Sequence, residues 1–138
     1  MSKLLNVRVP DFGKRGGLVP VIIQEECTGS VLILAYTRKA EFLETLVSGE
    51  VVLWSTSRGE RWKKGETKSG NVFRLQKPPA LDCDGDAILY TVTQTKPESG
   101  ACHTGKETCF YRSVIGSILE TDEHTTLEVV AVNDRLAS

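Results

Sequence analysis

The sequence predicts an α+β fold, a mainly antiparallel β-sheet with one clear helix, in a single domain covering residues 1–138. Three observations predict it. Short runs rich in Val, Ile, Leu, Tyr and Thr recur along the chain between Gly-, Pro- and Ser-containing breaks. One stretch alone, after Thr37, carries apolar residues at unmistakably helical spacing. The length of 138 residues also fits one domain.

Leu18–Glu25 and Val31–Tyr36 are the first two strands, separated by the turn Cys27-Thr28-Gly29-Ser30. Thr37 is placed to cap a helix reaching about Ser48, with Phe42, Leu43, Leu46 and Val47 as its apolar face and Gly49 as its stop. Val51–Ser55 returns to strand and leads into a polar, glycine-containing stretch that ends at Asn71. Val72–Gln76 is a further strand, and Pro78-Pro79 breaks the chain before an acidic segment. Ala87–Gln94 alternates as a strand does, and Thr108–Val114 is another. Thr126–Val132 fits either a last strand or a short helix. No internal repeat or low-complexity linker divides the chain.

Composition narrows the function. A net charge of −1 argues against a broad nucleic-acid footprint, so any bound anion must meet a local patch. No apolar run reaches the roughly 18–20 residues that cross a bilayer, and Met1–Arg8 lacks the apolar core of an export signal. A reducing, cytoplasmic location is therefore expected, with the four cysteines as thiols or ligands. At 40% hydrophobic residues the chain can build a core without metal, so a metal is expected to serve chemistry.

Chemistry concentrates in two motifs. Asp82-Cys83-Asp84-Gly85-Asp86 sets a soft thiol among hard carboxylates, and Ala101-Cys102-His103-Thr104-Gly105-Lys106-Glu107-Thr108-Cys109-Phe110 adds two thiols and a histidine. Thiolates suit zinc and carboxylates suit magnesium. Three protein ligands leave tetrahedral zinc an open position for water. If Asp82-Cys83-Asp84 is extended, alternation sends the carboxylates to one face and Cys83 to the other, with Asp86 rejoining through Gly85. The competing readings are buried core thiols and a solvated acidic turn. His103 is open to three roles: fourth ligand, outer-shell partner or general base. His124 lies in a polar stretch and reads as a surface residue, and Cys27 as structural.

Trp54–Asn71 carries Arg58, Arg61, Lys63, Lys64 and Lys68 against Glu60 and Glu66, a local excess of three positive charges. Hydroxyls at Ser55, Thr56, Ser57, Thr67 and Ser69, with Gly65 and Gly70, suit phosphate. A solvated hairpin loop is the plain alternative. The spacing is not that of a P-loop. The two tryptophans can stack a base or pack a core.

These stretches, with Leu18–Ile22 and Val31–Tyr36, closely resemble the phosphoribosyl-AMP cyclohydrolase family of histidine biosynthesis. The resemblance runs from about residue 12 to residue 112 and is most specific in the paired Asp-Cys-Asp-x-Asp and Cys-His-x-Gly-x-x-x-Cys-Phe motifs. It implies hydrolytic opening of the adenine ring between N1 and C6 of N1-(5-phosphoribosyl)-AMP. By resemblance, Cys83, Cys102 and Cys109 ligate zinc, and Asp82, Asp84 and Asp86 bind magnesium. His103 is the candidate base, and Arg58, Trp62, Lys64, Thr67, Ser69 and Asn71 are candidate substrate or phosphate contacts. The resemblance further implies a homodimer whose zinc lies at the dimer interface, Cys83 of one chain joining Cys102 and Cys109 of the other.

The pattern departs from the family at Tyr36-Thr37-Arg38, where Met-Asn usually follows the tyrosine, and at Ser55-Thr56-Ser57-Arg58, where Ser-Arg-Ser-Arg is common. One phosphate contact is thereby lost. The chain is also too short for the fused pyrophosphohydrolase domain of some relatives, so one pathway activity is expected. Two rival classes remain. A zinc-binding interaction module without catalysis would close the fourth zinc position with a protein ligand. A zinc deaminase would need the His-x-Glu and Cys-x-x-Cys pattern, which is missing.

Overall fold

The computed structural model describes the backbone of residues 8–120 and 125–134, and side chains through residue 114. Nine strands are described: β1 (Val19–Glu25), β2 (Val31–Thr37), β3 (Val52–Ser55), β4 (Glu60–Lys63), β5 (Phe73–Leu75), β6 (Ala80–Leu81), β7 (Ile88–Gln94), β8 (Arg112–Glu120) and β9 (Thr125–Asp134). The helix α1 (Lys39–Ser48) lies between β2 and β3.

Seven strands form one sheet in the order β4-β3-β2-β1-β7-β5, with β6 on β7, and β8–β9 form a separate antiparallel ribbon. Every pairing is antiparallel except β1 with β7, where Val21 faces Ile88 and Ile23 faces Tyr90. Alternation along β1 and β7 builds the core: Val19, Val21 and Ile23 on one strand and Ile88, Tyr90 and Val92 on the other are all fully or almost fully buried. Phe42, Leu53 and Phe73 complete it. The expected α+β class holds, with the one parallel pair as an addition.

Several local expectations change. Thr37 ends β2 and its hydroxyl donates to the Arg38 carbonyl, so Arg38, not Thr37, is the residue at the helix N-terminus. Gly49 stops the helix as expected, at φ 74°, its N–H donating to the Thr45 carbonyl. Of the expected apolar face only Phe42 enters the core, and Val47 is 90% exposed. The cause is Thr45. Its hydroxyl bonds the carbonyls of Glu41 and Val52 and accepts the Val52 N–H, which turns the Glu41–Phe42–Thr45 side of the helix inward. Glu41 follows into the interior because Arg38 clasps both its oxygens, at 2.8 and 2.9 Å.

β4 falls inside the polar stretch, where no strand was expected, and forms a hairpin with β3. The strand expected at Thr108–Val114 begins only at Arg112. Before it, Thr108 donates its hydroxyl to the Val31 carbonyl and the Cys109 N–H donates to the Leu32 carbonyl, tying this segment across β2. Thr126–Val132 lies within strand β9, which resolves the choice left between strand and helix. His124 lies outside the described residues. No helix among the described residues is long and apolar enough to cross a membrane.

Candidate active site

The β3–β4 hairpin and the loop after it form one wall of a cleft of about 680 Å³; the Ser99–Gly105 segment supplies the other. Arg58, Trp62, Lys64, Thr67 and Ser69 line the first wall, and Cys102 and His103 line the second. Residues separated by up to 50 positions in sequence, Ser55 and Gly105, thus share one concave surface. Gly65 permits the turn that shapes it: at φ 84°, a side chain there would collide with the Asn71 carbonyl.

Electrostatics differ between the walls. Lys64 is only 5% exposed, yet its ammonium lies 5.0 Å from the Phe73 ring centre and 6.0 Å from that of Trp62. Burial lowers its pKa, and the nearby Cys109 and Cys102 thiols oppose that shift. Arg58 approaches the Trp62 ring at 6.0 Å and pairs with Glu60 at 3.1 Å. On the facing wall, burial pushes the Cys102 thiol up. Hydrogen bonds from Thr104, contact with Cys109 and the charge of Lys64 outweigh it, so Cys102 sits below its ordinary value. The Thr104 hydroxyl donates to Cys102 Sγ at 3.1 Å. Cys109 moves the other way, to about 11, through burial and the proximity of Cys102. His103 is exposed, with Nδ1 3.9 Å from Cys102 Sγ.

The acidic motif is a turn rather than the extended segment considered from sequence. Gly85, at φ 75°, lets its N–H return to the Asp82 carbonyl at 3.1 Å, while Asp82 Oδ1 accepts the N–H groups of Asp86 and Ala87. The turn gathers one oxygen from each of Asp82, Asp84 and Asp86 within 4.8 Å of one another. Alternation therefore does not separate Cys83 from the aspartates; the exposed Cys83 Sγ lies 3.9 Å from Asp84 Oδ1. Lys14 holds the Asp86 carboxyl well below the usual carboxylate range, with hydrogen bonds involving Asp84, Asp82 and Arg15 adding to that effect against desolvation. A divalent cation suits this donor set: three carboxylates converge and cationic side chains are already drawn to them.

Cys102 and Cys109 are neighbours, but among the described residues the three motif cysteines do not form a single three-ligand cluster. Soft thiolate ligands suit zinc, and the lowered Cys102 favours the required ionised form. Asn71 does not line the cleft. It is wholly buried, its amide donating to the Gln94 side chain and the Gly100 carbonyl while its oxygen accepts the Lys96 N–H. Those bonds join the two walls. Ser99 in the cleft, and Lys14 and Arg15 at the acidic turn, escaped the sequence reading. The adjacent cations in the glycine-rich segment Gly13–Gly17 were the available signal for the last two.

A cleft of this size, lined by polar side chains with cations on one wall and a thiol and histidine on the other, has the makings of an enzyme site for a small anionic molecule. Residues 33–111 match the model of the family described as phosphoribosyl-AMP cyclohydrolase. A phosphoribosyl-AMP cyclohydrolase of Clostridium botulinum is 47% identical over 105 residues, covering 76% of this chain and 91% of its own length. One from Methanothermobacter thermautotrophicus is 46% identical over 120 residues, covering 87% and 82%. The histidine biosynthesis bifunctional protein HisIE of Deinococcus radiodurans is 43% identical over 125 residues, which is 88% of this chain and 55% of that protein. The chain belongs to the phosphoribosyl-AMP cyclohydrolase family, hydrolases of a cyclic amidine in histidine biosynthesis.

Proposed function

We propose that the cleft binds N1-(5-phosphoribosyl)-AMP and opens its adenine ring with zinc-dependent hydrolysis, giving the phosphoribosyl-formimino aminoimidazole carboxamide nucleotide. The observation that carries this reading is the meeting of Cys102 and His103 with Lys64 and Arg58 across one cleft in a chain of this family. Cys83, Cys102 and Cys109 are the proposed zinc ligands, and zinc held there would supply activation of water near neutral pH. Asp82, Asp84 and Asp86 are the proposed magnesium ligands, and that ion would offset phosphate charge. Because the thiols of one chain do not cluster, the reading includes a homodimer. In it, Cys83 of one copy meets Cys102 and Cys109 of the other, and a single domain serves this reaction in the cytoplasm.

The residues divide the work. The alkylated N1 carries positive charge, so C6 is electrophilic. Trp62 offers a face for the base, and Arg58, Lys64, Thr67 and Ser69 offer donors to the phosphates. Lys64 is already desolvated and has no carboxylate partner among the described ion pairs, so an anion gains fully from meeting it. His103 accepts a proton as water oxygen bonds to C6. The C6–N1 bond then breaks with its electron pair going to N1, which takes back the proton held by His103, while the C6 hydroxyl releases its proton to solvent and C6 keeps its exocyclic nitrogen as the carboxamide. Asn71 acts by holding the walls in register.

Ring opening followed by ultraviolet absorbance tests the reading, with native, chelated and zinc-restored enzyme in the presence of magnesium. Loss on chelation and recovery with zinc is the expected pattern. No turnover by folded, zinc-loaded protein would instead support a zinc-binding interaction module. His103→Ala is expected to lower kcat by about 10²–10⁴-fold with zinc content unchanged. Normal turnover in that variant would remove His103 from the role of base.

A further inference from the structure

We propose that Lys14 is a built-in counter-ion of the acidic turn that a divalent cation must displace, so that metal uptake there is an exchange of one cation for another. The inference rests on the reading of Asp82, Asp84 and Asp86 as a magnesium site and concerns what this chain brings to it. Lys14 Nζ lies 2.7 Å from Asp86 Oδ2 and 3.3 Å from Asp84 Oδ2. Arg15 Nη1 lies 3.0 Å from the same Asp86 oxygen and also donates to the Asp86 carbonyl at 3.2 Å. Two positive charges thus stand against three negative ones.

The N-terminal turn is fastened in place for this. Asp11 Oδ1 accepts the N–H groups of Gly13 and Lys14, and the Asp11 N–H donates to the Gly85 carbonyl at 2.8 Å. The Lys14 backbone is therefore held beside the acidic turn while its side chain, 47% exposed, is free to leave toward water.

The two cations differ in what they would give up. Lys14's described bonds from the ammonium go to carboxylates alone, whereas Arg15 also serves a main-chain carbonyl. Magnesium takes oxygens at about 2.0–2.1 Å in near-octahedral geometry, which an ammonium sharing two of those carboxylates obstructs. An ammonium about 4 Å from a divalent ion also repels it enough to weaken affinity by about tenfold after solvent screening. Lys14 therefore leaves and Arg15 stays, and in the metal-free turn Lys14 offsets part of the carboxylates' charge.

The test is manganese(II) binding to zinc-replete protein, followed by its electron paramagnetic resonance signal, for the native chain, Lys14→Gln and Lys14→Arg. Lys14→Gln is expected to bind manganese about tenfold more tightly, and Lys14→Arg to remain near native. Melting supplies the second readout: Lys14→Gln should lower the melting temperature of the manganese-free form and gain more than the native chain on adding the ion. Equal or weaker binding by Lys14→Gln would overturn the exchange while leaving the metal site standing. An absence of binding in the native chain and both variants would overturn the site and the exchange together.

Discussion

Replacing Cys102 with serine is expected to cut turnover of phosphoribosyl-AMP by about 10³-fold and to lower the zinc content of the purified protein. Loss of a group that merely supports a metal ligand costs about 10–100-fold, and loss of a ligand costs more. Serine keeps the size of the side chain, but its hydroxyl does not ionise near neutral pH as a thiol can. Cys102 is also the cysteine that its surroundings hold below its ordinary pKa, through Thr104, Cys109 and Lys64 working against burial. The comparison that separates chemistry from general thiol loss is Cys27→Ser. Cys27 is exposed in the turn between β1 and β2, so its replacement should leave activity within about twofold. Measured zinc stoichiometry and kcat/KM for both variants check the prediction, and a fully zinc-loaded, active Cys102→Ser would contradict it.

Gly100→Ala should be strongly destabilising for a single added methyl group on the wall that carries Cys102. Gly100 has φ 79° and ψ 153°, a conformation that is nearly exclusive to glycine. An added Cβ would also collide with the carbonyls of Gly105 and Lys106, the second at 2.6 Å. Both carbonyls belong to the loop that carries Cys102 and His103, and the Cys102 N–H itself donates to the Lys106 carbonyl at 3.1 Å. The Gly100 carbonyl also receives the Asn71 amide. Strain and collision together are expected to cost about 3 kcal/mol, a fall of about 6–12 °C in melting temperature, with weakened zinc retention. Gly105→Ala is the control. It shares a positive φ of 85°, but nothing lies within 4 Å of its added Cβ, so only about 1 kcal/mol is expected. Equal melting temperatures for the two variants would show that the close approach at Gly100 is unimportant.

The sequence carried the strands whose residues alternate cleanly, such as β1 and β7, and the helix stop at Gly49. It misplaced what depends on a single polar group. The helix face turned on the Thr45 hydroxyl, whose three main-chain bonds outweigh the pull of Leu43, Leu46 and Val47 toward the core. β4 was hidden because Glu60–Lys63 is polar on both faces and owes its place to pairing with β3. The parallel contact of β1 with β7 brings together segments more than 60 residues apart, which no local pattern encodes.

The site was legible as chemistry but not as geometry. Residue types in Trp54–Asn71 together with the family resemblance pointed to Arg58, Trp62, Lys64, Thr67 and Ser69, and the structure gathers these five with Cys102 and His103 around one cleft. Asn71 could not be sorted from them, because its burial depends on Gln94, Lys96 and Gly100. Between the extended segment and the turn that the sequence left open, the turn wins because Asp82 Oδ1 captures two main-chain N–H groups, a local competition that strand alternation ignores. Lys14 and Arg15 were passed over because their partners lie about 70 positions away.

The central claim is that the centre beside Cys102 is completed by Cys83 from a second copy. Mixing Cys83→Ala protein with Cys102→Ala protein under conditions that exchange subunits tests it most directly. Each variant alone should be nearly inactive. Random pairing makes about half of the dimers mixed, and each mixed dimer has one of its two centres intact, so the mixture should recover about a quarter of native activity. A mixture that exchanges subunits yet stays as inactive as its components would contradict the shared centre.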